Sequence, residues 1–342
     1  MKTILPGELL QATRLVGNGR LDEATAAIQQ MLAGRLSPGQ RTAPLPATRG
    51  PQHAVATLAV PPGAQFLSAT YSGPAGSRPY RLYVPSGYRE GQAAPLVVML
   101  HGCTQSPDDF AAGTRMNERA EAQTCLVAYP GQTGTANMQK CWNWFREADQ
   151  QRDSGEPALI AGITQEIMQQ FAVDPRRVYV AGLSAGGAAA AVMGVAYPDL
   201  YAAIGVHSGL ACGAARDMPS AFAVMQQGGA GVSGGGRAVP TIVFHGDRDS
   251  TVHPRNGDAV VAQAAEDGPS GVRVEQGRVP GGHAFSRTLH RGADGRIVIE
   301  HWLIHGAGHA WSGGSPDGTY TDPRGPDASA EMLRFFLERA KP

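Results

Sequence analysis

Apolar residues along this chain fall into two rhythms that alternate from residue 64 onward. The continuous apolar run Leu96–Leu100 and the largely apolar stretches Cys125–Tyr129, the one after Arg177, Ala203–His207, Thr241–Phe244 and Ile297–Ile304 read as strands. Among them, Asp108–Gln123, Glu156–Phe171, Ala188–Val195 and Ala328–Leu337 read as helices. Phe66–Ser72 and Tyr80–Val84 pair around a Gly-rich turn at 73–77, and 226–238 is a Gly-rich loop. Strands alternating with helices predict an α/β fold, a mostly parallel sheet with helices on both faces. Ligands of such sheets bind at the carboxyl ends of the strands.

The first sixth of the chain follows a different pattern. Residues 7–33 place Leu9, Leu10, Ala12, Leu15, Leu21, Ala24, Ala27, Ile28 and Leu32 at near-helical spacing, interrupted by Gly17-Asn18-Gly19. A small helical arm over 1–33 is expected. Residues 34–62 are rich in Pro, Gly and Arg without a period and read as a linker. Residues 63–342 then form the catalytic domain.

The chain is organised around Gly182-Leu183-Ser184-Ala185-Gly186. A Gly-x-Ser-x-Gly turn between a strand and a helix lifts the central side chain clear of the sheet at a helix N-terminus, where negative charge is favoured. Ser184 is therefore the candidate nucleophile. It needs a histidine base oriented by a buried carboxylate, expected in the chain order Ser, acid, His. Thr241–Phe244 runs into His245-Gly246-Asp247-Arg248-Asp249, and the last strand is followed by Gly308-His309-Ala310-Trp311. His309 is the expected base and Asp249 its orienter, with Asp247 the competing acid on the same loop. His245, His253, His301 and His305 are the other histidines expected near the site.

Two backbone N–H groups should hold the oxyanion: that of Ala185, after the nucleophile, and one from the early loop His101-Gly102-Cys103, where Cys103 is the second donor. Cys141 opens the aromatic stretch Cys141-Trp142-Asn143-Trp144-Phe145. A Cys103–Cys141 disulfide would clamp that stretch to the oxyanion loop; in a reducing compartment both would stay thiols. Trp142, Trp144 and Trp311 are read as an apolar shelf for an acyl unit, with Gln105 as a further substrate contact.

Composition narrows the partners. Lys and Arg number 29 and Asp and Glu 29, so no basic field points to nucleic acid. No apolar run approaches the roughly 18 residues of a membrane span. Charges at Glu8, Arg14, Arg20, Asp22 and Glu23 leave no visible signal-peptide core. A cytoplasmic protein is expected as the chain stands, a secreted one if a leader was removed. The four cysteines show no Cys-x-x-Cys pairing.

Four ordered motifs together resemble the poly(3-hydroxybutyrate) depolymerase-like esterases, a group related to feruloyl and acetylxylan esterases. They are His101-Gly102-Cys103-Thr104-Gln105, Cys141-Trp142-Asn143-Trp144-Phe145, Gly182-Leu183-Ser184-Ala185-Gly186-Gly187 and Gly308-His309-Ala310-Trp311-Ser312-Gly313-Gly314. The resemblance implies an α/β-hydrolase fold without a large lid domain and a Ser184–Asp249–His309 triad. It also implies hydrolysis of short-chain hydroxyalkanoate esters with neither metal nor cofactor. Secreted members carry a signal peptide and a C-terminal polymer-binding domain. Neither is visible here, so oligomers or small esters are expected over crystalline polymer. Feruloyl or acetyl carbohydrate esters are the alternative, and a poly(aspartic acid)-type β-amide a more distant one.

Overall fold

The computed structural model describes residues 60–231, 239–265 and 270–341. The expected N-terminal arm and all but the last residues of the expected linker lie outside the described residues, as does most of the loop at 226–238.

A ten-stranded sheet runs through the chain in the order β1-β2-β4-β3-β5-β6-β7-β10-β9-β8. The hairpin β1 (Gln65–Gly73) and β2 (Gly76–Val84) forms one antiparallel edge. The centre is parallel: β3 (Ala94–Leu100), β4 (Leu126–Pro130), β5 (Val173–Leu183), β6 (Ala203–His207), β7 (Thr241–Gly246) and β10 (Ile297–His305). A second hairpin, β8 (Gly271–Arg278) and β9 (Ala284–Arg291), adds antiparallel strands at the other edge. These two strands are absent from the sequence-based expectation because their residues are mostly polar and half-exposed, which leaves no buried run to read.

Alternation along the central strands builds two cores. Leu96, Val98, Leu100, Val178 and Val180 face one side, where helices α3 (Gly155–Gln170) and α4 (Ala185–Ala196) contribute Ile160, Ile163, Ala188 and Met193. Val97, Met99, Tyr179, Ala181 and Leu183 face the other, with α1 (Pro107–Thr114), α2 (Met116–Glu121) and α7 (Ala328–Leu337) packing Phe110, Met116, Met332 and Phe336 against them. Burial on both faces explains why these strands read as largely apolar runs. Helices α5 (Met218–Gln227) and α6 (Arg255–Ala264), a 3₁₀ turn at Glu147–Gln150 and a small pair, β11 (Trp311–Ser312) with β12 (Thr321–Asp322), complete the described elements.

One expected helix is divided. Asp108–Gln123 breaks at Arg115, which adopts a left-handed conformation at φ 55° and ψ 24°. The Gly113 carbonyl accepts from Ser315 N at 2.8 Å instead of continuing the helical ladder. Helix propensity is also low at Gly113-Thr114, so tertiary contact decides the break.

Candidate active site

Ser184 stands where β5 turns into α4, with φ 58° and ψ −119°. A non-glycine residue at positive φ is strained, and surrounding structure must hold it there. Two glycines make that possible. A Cβ on Gly186 would overlap the Leu100 carbonyl of the neighbouring strand, and one on Gly182 would overlap the Gly186 backbone. Ser184 N donates to His207 O at 2.9 Å, tying the turn to the end of β6. The next residue, Ala185, opens α4, whose first N–H groups have no partner within the helix.

The loop after β3 lies directly over this turn: a Cβ built on Gly102 would stand 3.6 Å from Ser184 Cβ. The loop is held from several directions. Gly102 N donates to Gln105 Oε1 at 2.8 Å and Thr104 N to Gln139 O at 2.6 Å. His101 is buried; its Nδ1 contacts Gly102 O at 2.7 Å, and its Nε2 accepts from Gln132 N at 3.0 Å. Burial pushes its pKa down to about 4, so it stays neutral and structural. Cys103 and Cys141 are joined by a disulfide, which fastens the loop to the Trp142 stretch.

Acid and base come from the ends of β7 and β10. Asp249 Oδ2 lies 2.7 Å from His309 Nδ1, while its Oδ1 accepts from Thr251 N at 2.9 Å and Val252 N at 2.8 Å. Burial works to raise the Asp249 pKa. Hydrogen bonds from His245 and His309, with their charge, outweigh it and hold the carboxyl well below the usual range. Asp247 takes a different position. It lies 3.0 Å from His305 Nδ1 and accepts from Gly306 N at 2.7 Å, which braces the loop that leads to His309. His245 sits behind Asp249, with Nε2 2.8 Å from Val252 O. His253 and His301 lie apart from this pair: His253 Nδ1 accepts from Arg255 N at 3.2 Å, and His301 faces Asp258.

The expected aromatic shelf is not where the sequence placed it. Trp142, Trp144 and Trp311 are only 0%, 7% and 1% exposed, so they are core and offer no surface to an acyl unit. Trp142 Nε1 donates to His101 O at 3.1 Å. Trp311 donates to Ser329 Oγ at 3.1 Å and stacks on His207 with ring centroids 5.0 Å apart. Gln105 is likewise internal, donating to Asp109 Oδ2 at 2.9 Å and Thr319 O at 3.0 Å while it holds Gly102. These side chains shape the site from behind. The sequence pattern could not separate a wall from a buried support, since both place aromatics beside catalytic loops.

Three residues that sequence reasoning missed complete the frame. Glu156, buried at the start of α3, accepts from Asn143 N at 2.6 Å and Asn143 Nδ2 at 2.7 Å, and also from Gln132. Burial raises its pKa. His207 accepts from Ser312 N at 3.0 Å and so links the Ser184 turn to the segment after His309; burial drives its pKa well down. Tyr320 is 48% exposed, sits at φ 53°, and brings its hydroxyl to 3.3 Å from Thr104 Oγ1, one residue from Cys103. Among the described residues, no group of three or more His, Cys, Asp or Glu side chains is placed to hold a metal ion.

Comparison with known proteins bears on this arrangement. Residues 78–268, more than half of the chain, match the family described as Esterase PHB depolymerase. The chain belongs to that family. Poly(3-hydroxyalkanoate) depolymerase C of Paucimonas lemoignei is 33% identical over 254 residues, covering 70% of this chain and 58% of that protein. Feruloyl esterase B of Neurospora crassa is 29% identical over 203 residues, 54% of this chain and 68% of that one. The chain thus spans little more than half the length of the depolymerase. Among solved structures, an acetyl xylan esterase from Aspergillus awamori superposes with a TM-score of 0.61 at 18% identity, over 80% of this chain and 98% of that one. The sheet and its flanking helices have the α/β-hydrolase fold, with no large lid among the described residues.

Proposed function

We propose that this chain is a serine esterase that hydrolyses short-chain hydroxyalkanoate esters, poly(3-hydroxybutyrate) or its oligomers, through an acyl-enzyme. The observation that carries the reading is the buried Asp249 carboxylate on Nδ1 of His309, at the carboxyl ends of the central strands, where the strained Ser184 turn also emerges. An imidazole held through Nδ1–H presents a free Nε2 lone pair, the form that can take a serine proton. In the proposed cycle Ser184 Oγ attacks the ester carbonyl and its proton passes to His309 Nε2. Asp249 stabilises the imidazolium, and the N–H groups of Ala185 and Cys103 stabilise the oxyanion. The bond to the alcohol breaks, and His309 returns its proton to the leaving oxygen. Water then attacks the acyl-enzyme by the same route, releasing the acid and restoring Ser184.

The acyl class rests on the family and on the depolymerase relative. A second reading, a feruloyl or acetyl carbohydrate esterase, is favoured by the Neurospora crassa relative. With the tryptophans buried, Tyr320 is proposed as the aromatic that meets the substrate chain beside the oxyanion loop. The Cys103–Cys141 disulfide supports an oxidising compartment.

The test measures release of 3-hydroxybutyrate from soluble oligomers and amorphous polymer, beside feruloyl and acetyl esters, for wild type and Ser184→Ala. Wild-type release that is lost in the variant is the expected result. Cleavage of feruloyl or acetyl esters alone would transfer the function to the second reading. Equal activity in Ser184→Ala would remove the serine mechanism.

A further inference from the structure

The sheet ends at β8, and among the described residues no strand lies beside its outer edge. Such an edge presents a row of unpaired N–H and C=O groups and is usually blunted by charged side chains, Lys above all, by Pro or by a bulge. β8 (Gly-Val-Arg-Val-Glu-Gln-Gly-Arg) has no Pro and pairs continuously with β9; its charges, Arg273, Glu275 and Arg278, are of both signs and can pair across the edge, and Val272 and Val274 are 58% and 59% exposed. Two exposed valines, side by side on an open edge, mark a surface suited to another strand.

Two independent features specify that strand. Backbone parity is the first. Val279 N donates to His283 O, and Val279 opposite His283 continues the β8–β9 register, so the odd residues of β8 spend their backbone groups on β9. The N–H and C=O groups of Val272, Val274 and Gln276 therefore point outward. Charge is the second: Arg273 and Glu275 lie on either side of Val274 on the opposite face, and Arg273 is largely exposed. We propose that β8 pairs antiparallel with β8 of a second copy of this chain, about a twofold axis at Val274, making one sheet continuous through both molecules.

In that register Val274 exchanges backbone hydrogen bonds with its own copy, and Val272 does so with Gln276 on either side of the axis. All of these are outward-pointing residues. Arg273 then stands directly opposite Glu275 of the copy, at a non-hydrogen-bonded position where Cα atoms lie about 4.5 Å apart. Each Arg273 turns from the Glu275 of its own strand, now 3.2 Å away, to that of the copy. Shifting the axis to Arg273 or to Glu275 would keep the backbone parity but set like charges face to face, which is destabilising. The arrangement is isologous and closed, so it yields a dimer and not a filament. β1 at the far edge carries no charged residue that could set a register in this way.

Sedimentation velocity of the full chain over rising concentration tests the pairing. Wild type is expected to move from 35.7 kDa to twice that mass. Arg273→Glu, which faces glutamate with Glu275, and Val274→Lys are both expected to stay at the single mass. The double variant Arg273→Glu/Glu275→Arg should regain the dimer. A mixture of Arg273→Glu with Glu275→Arg should form a mixed dimer that neither forms alone. Far-UV circular dichroism and p-nitrophenyl butyrate cleavage identify any variant that fails to fold. A wild type that stays at the single mass, a dimer untouched by Arg273→Glu, or a double variant that does not recover would each overturn the proposal.

Discussion

Asp247 and Asp249 are two residues apart on one loop, and their surroundings separate them. Asp249 is buried, with one oxygen occupied by Thr251 and Val252 N–H groups and the other facing His309 at 2.7 Å and His245 at 3.5 Å. Asp247 faces His305 and Gly306 and steadies the loop from outside. Asp249→Asn is therefore expected to lower kcat on p-nitrophenyl butyrate by a factor on the order of 10⁴, the loss seen when a triad carboxylate is neutralised. Asp247→Asn should cost far less, and the reverse ranking would reassign the acid. The sequence already favoured Asp249 over Asp247; what it lacked was the pair of N–H donors that fixes the carboxylate's orientation. Tyr320 carries a second prediction: Tyr320→Ala should raise KM for hydroxybutyrate oligomers more than for p-nitrophenyl acetate. Equal effects on both would make its role general to the fold.

Among elements, the loop after β3 depends most on distant partners. Gln105, His101, Gln139 and Cys141 each hold it from a separate part of the chain. The disulfide closes a sequence separation of 38 residues, worth about 4 kcal/mol in the chain-entropy model. Replacing both cysteines by serine should lower the unfolding free energy by up to about that amount in urea titration. It should also lower kcat more than it raises KM, because the loosened part is the proposed oxyanion donor. Unchanged kcat would show that hydrogen bonds alone keep Cys103 N–H in place. The buried part of β5 after Arg177 and its turn were legible beforehand, because the apolar run and the glycines satisfy local steric demands. The hairpin of β8 and β9 was not, since its residues carry no mark of burial.

At the scale of the whole molecule, the buried histidines make stability depend on acidity. His101 and His301 are both pushed down to about 4 by burial, and His207 is driven well down for the same reason. Folded, these groups stay neutral below the ordinary histidine value of about 6.5, while the unfolded chain takes up protons there. Stability should therefore fall as pH drops from about 6.5 toward 4, by up to about 1.4 kcal/mol per pH unit for each such histidine. Asp249, held low, loses its own contribution only at still lower pH, below the unfolded value of about 3.9. Glu156, raised by burial, works in the opposite sense and offsets part of the fall. Thermal unfolding midpoints from pH 7 to 4 check this, and a flat profile would mean that the histidines ionise inside the fold. Which side chains are buried is where sequence and structure part. The succession of central strands and helices along the chain, the serine turn and the glycines around it follow from local rules, apolar runs and backbone sterics, which act between near neighbours and so are written in the chain; the order of the strands in the sheet does not. The tryptophans' burial, the division of roles between Asp247 and Asp249, and the open edge at β8 depend on what packs against each residue from far along the chain. A Trp beside a catalytic loop reads the same whether Ser329 or solvent lies beyond it, and only the folded arrangement places Ser329 there.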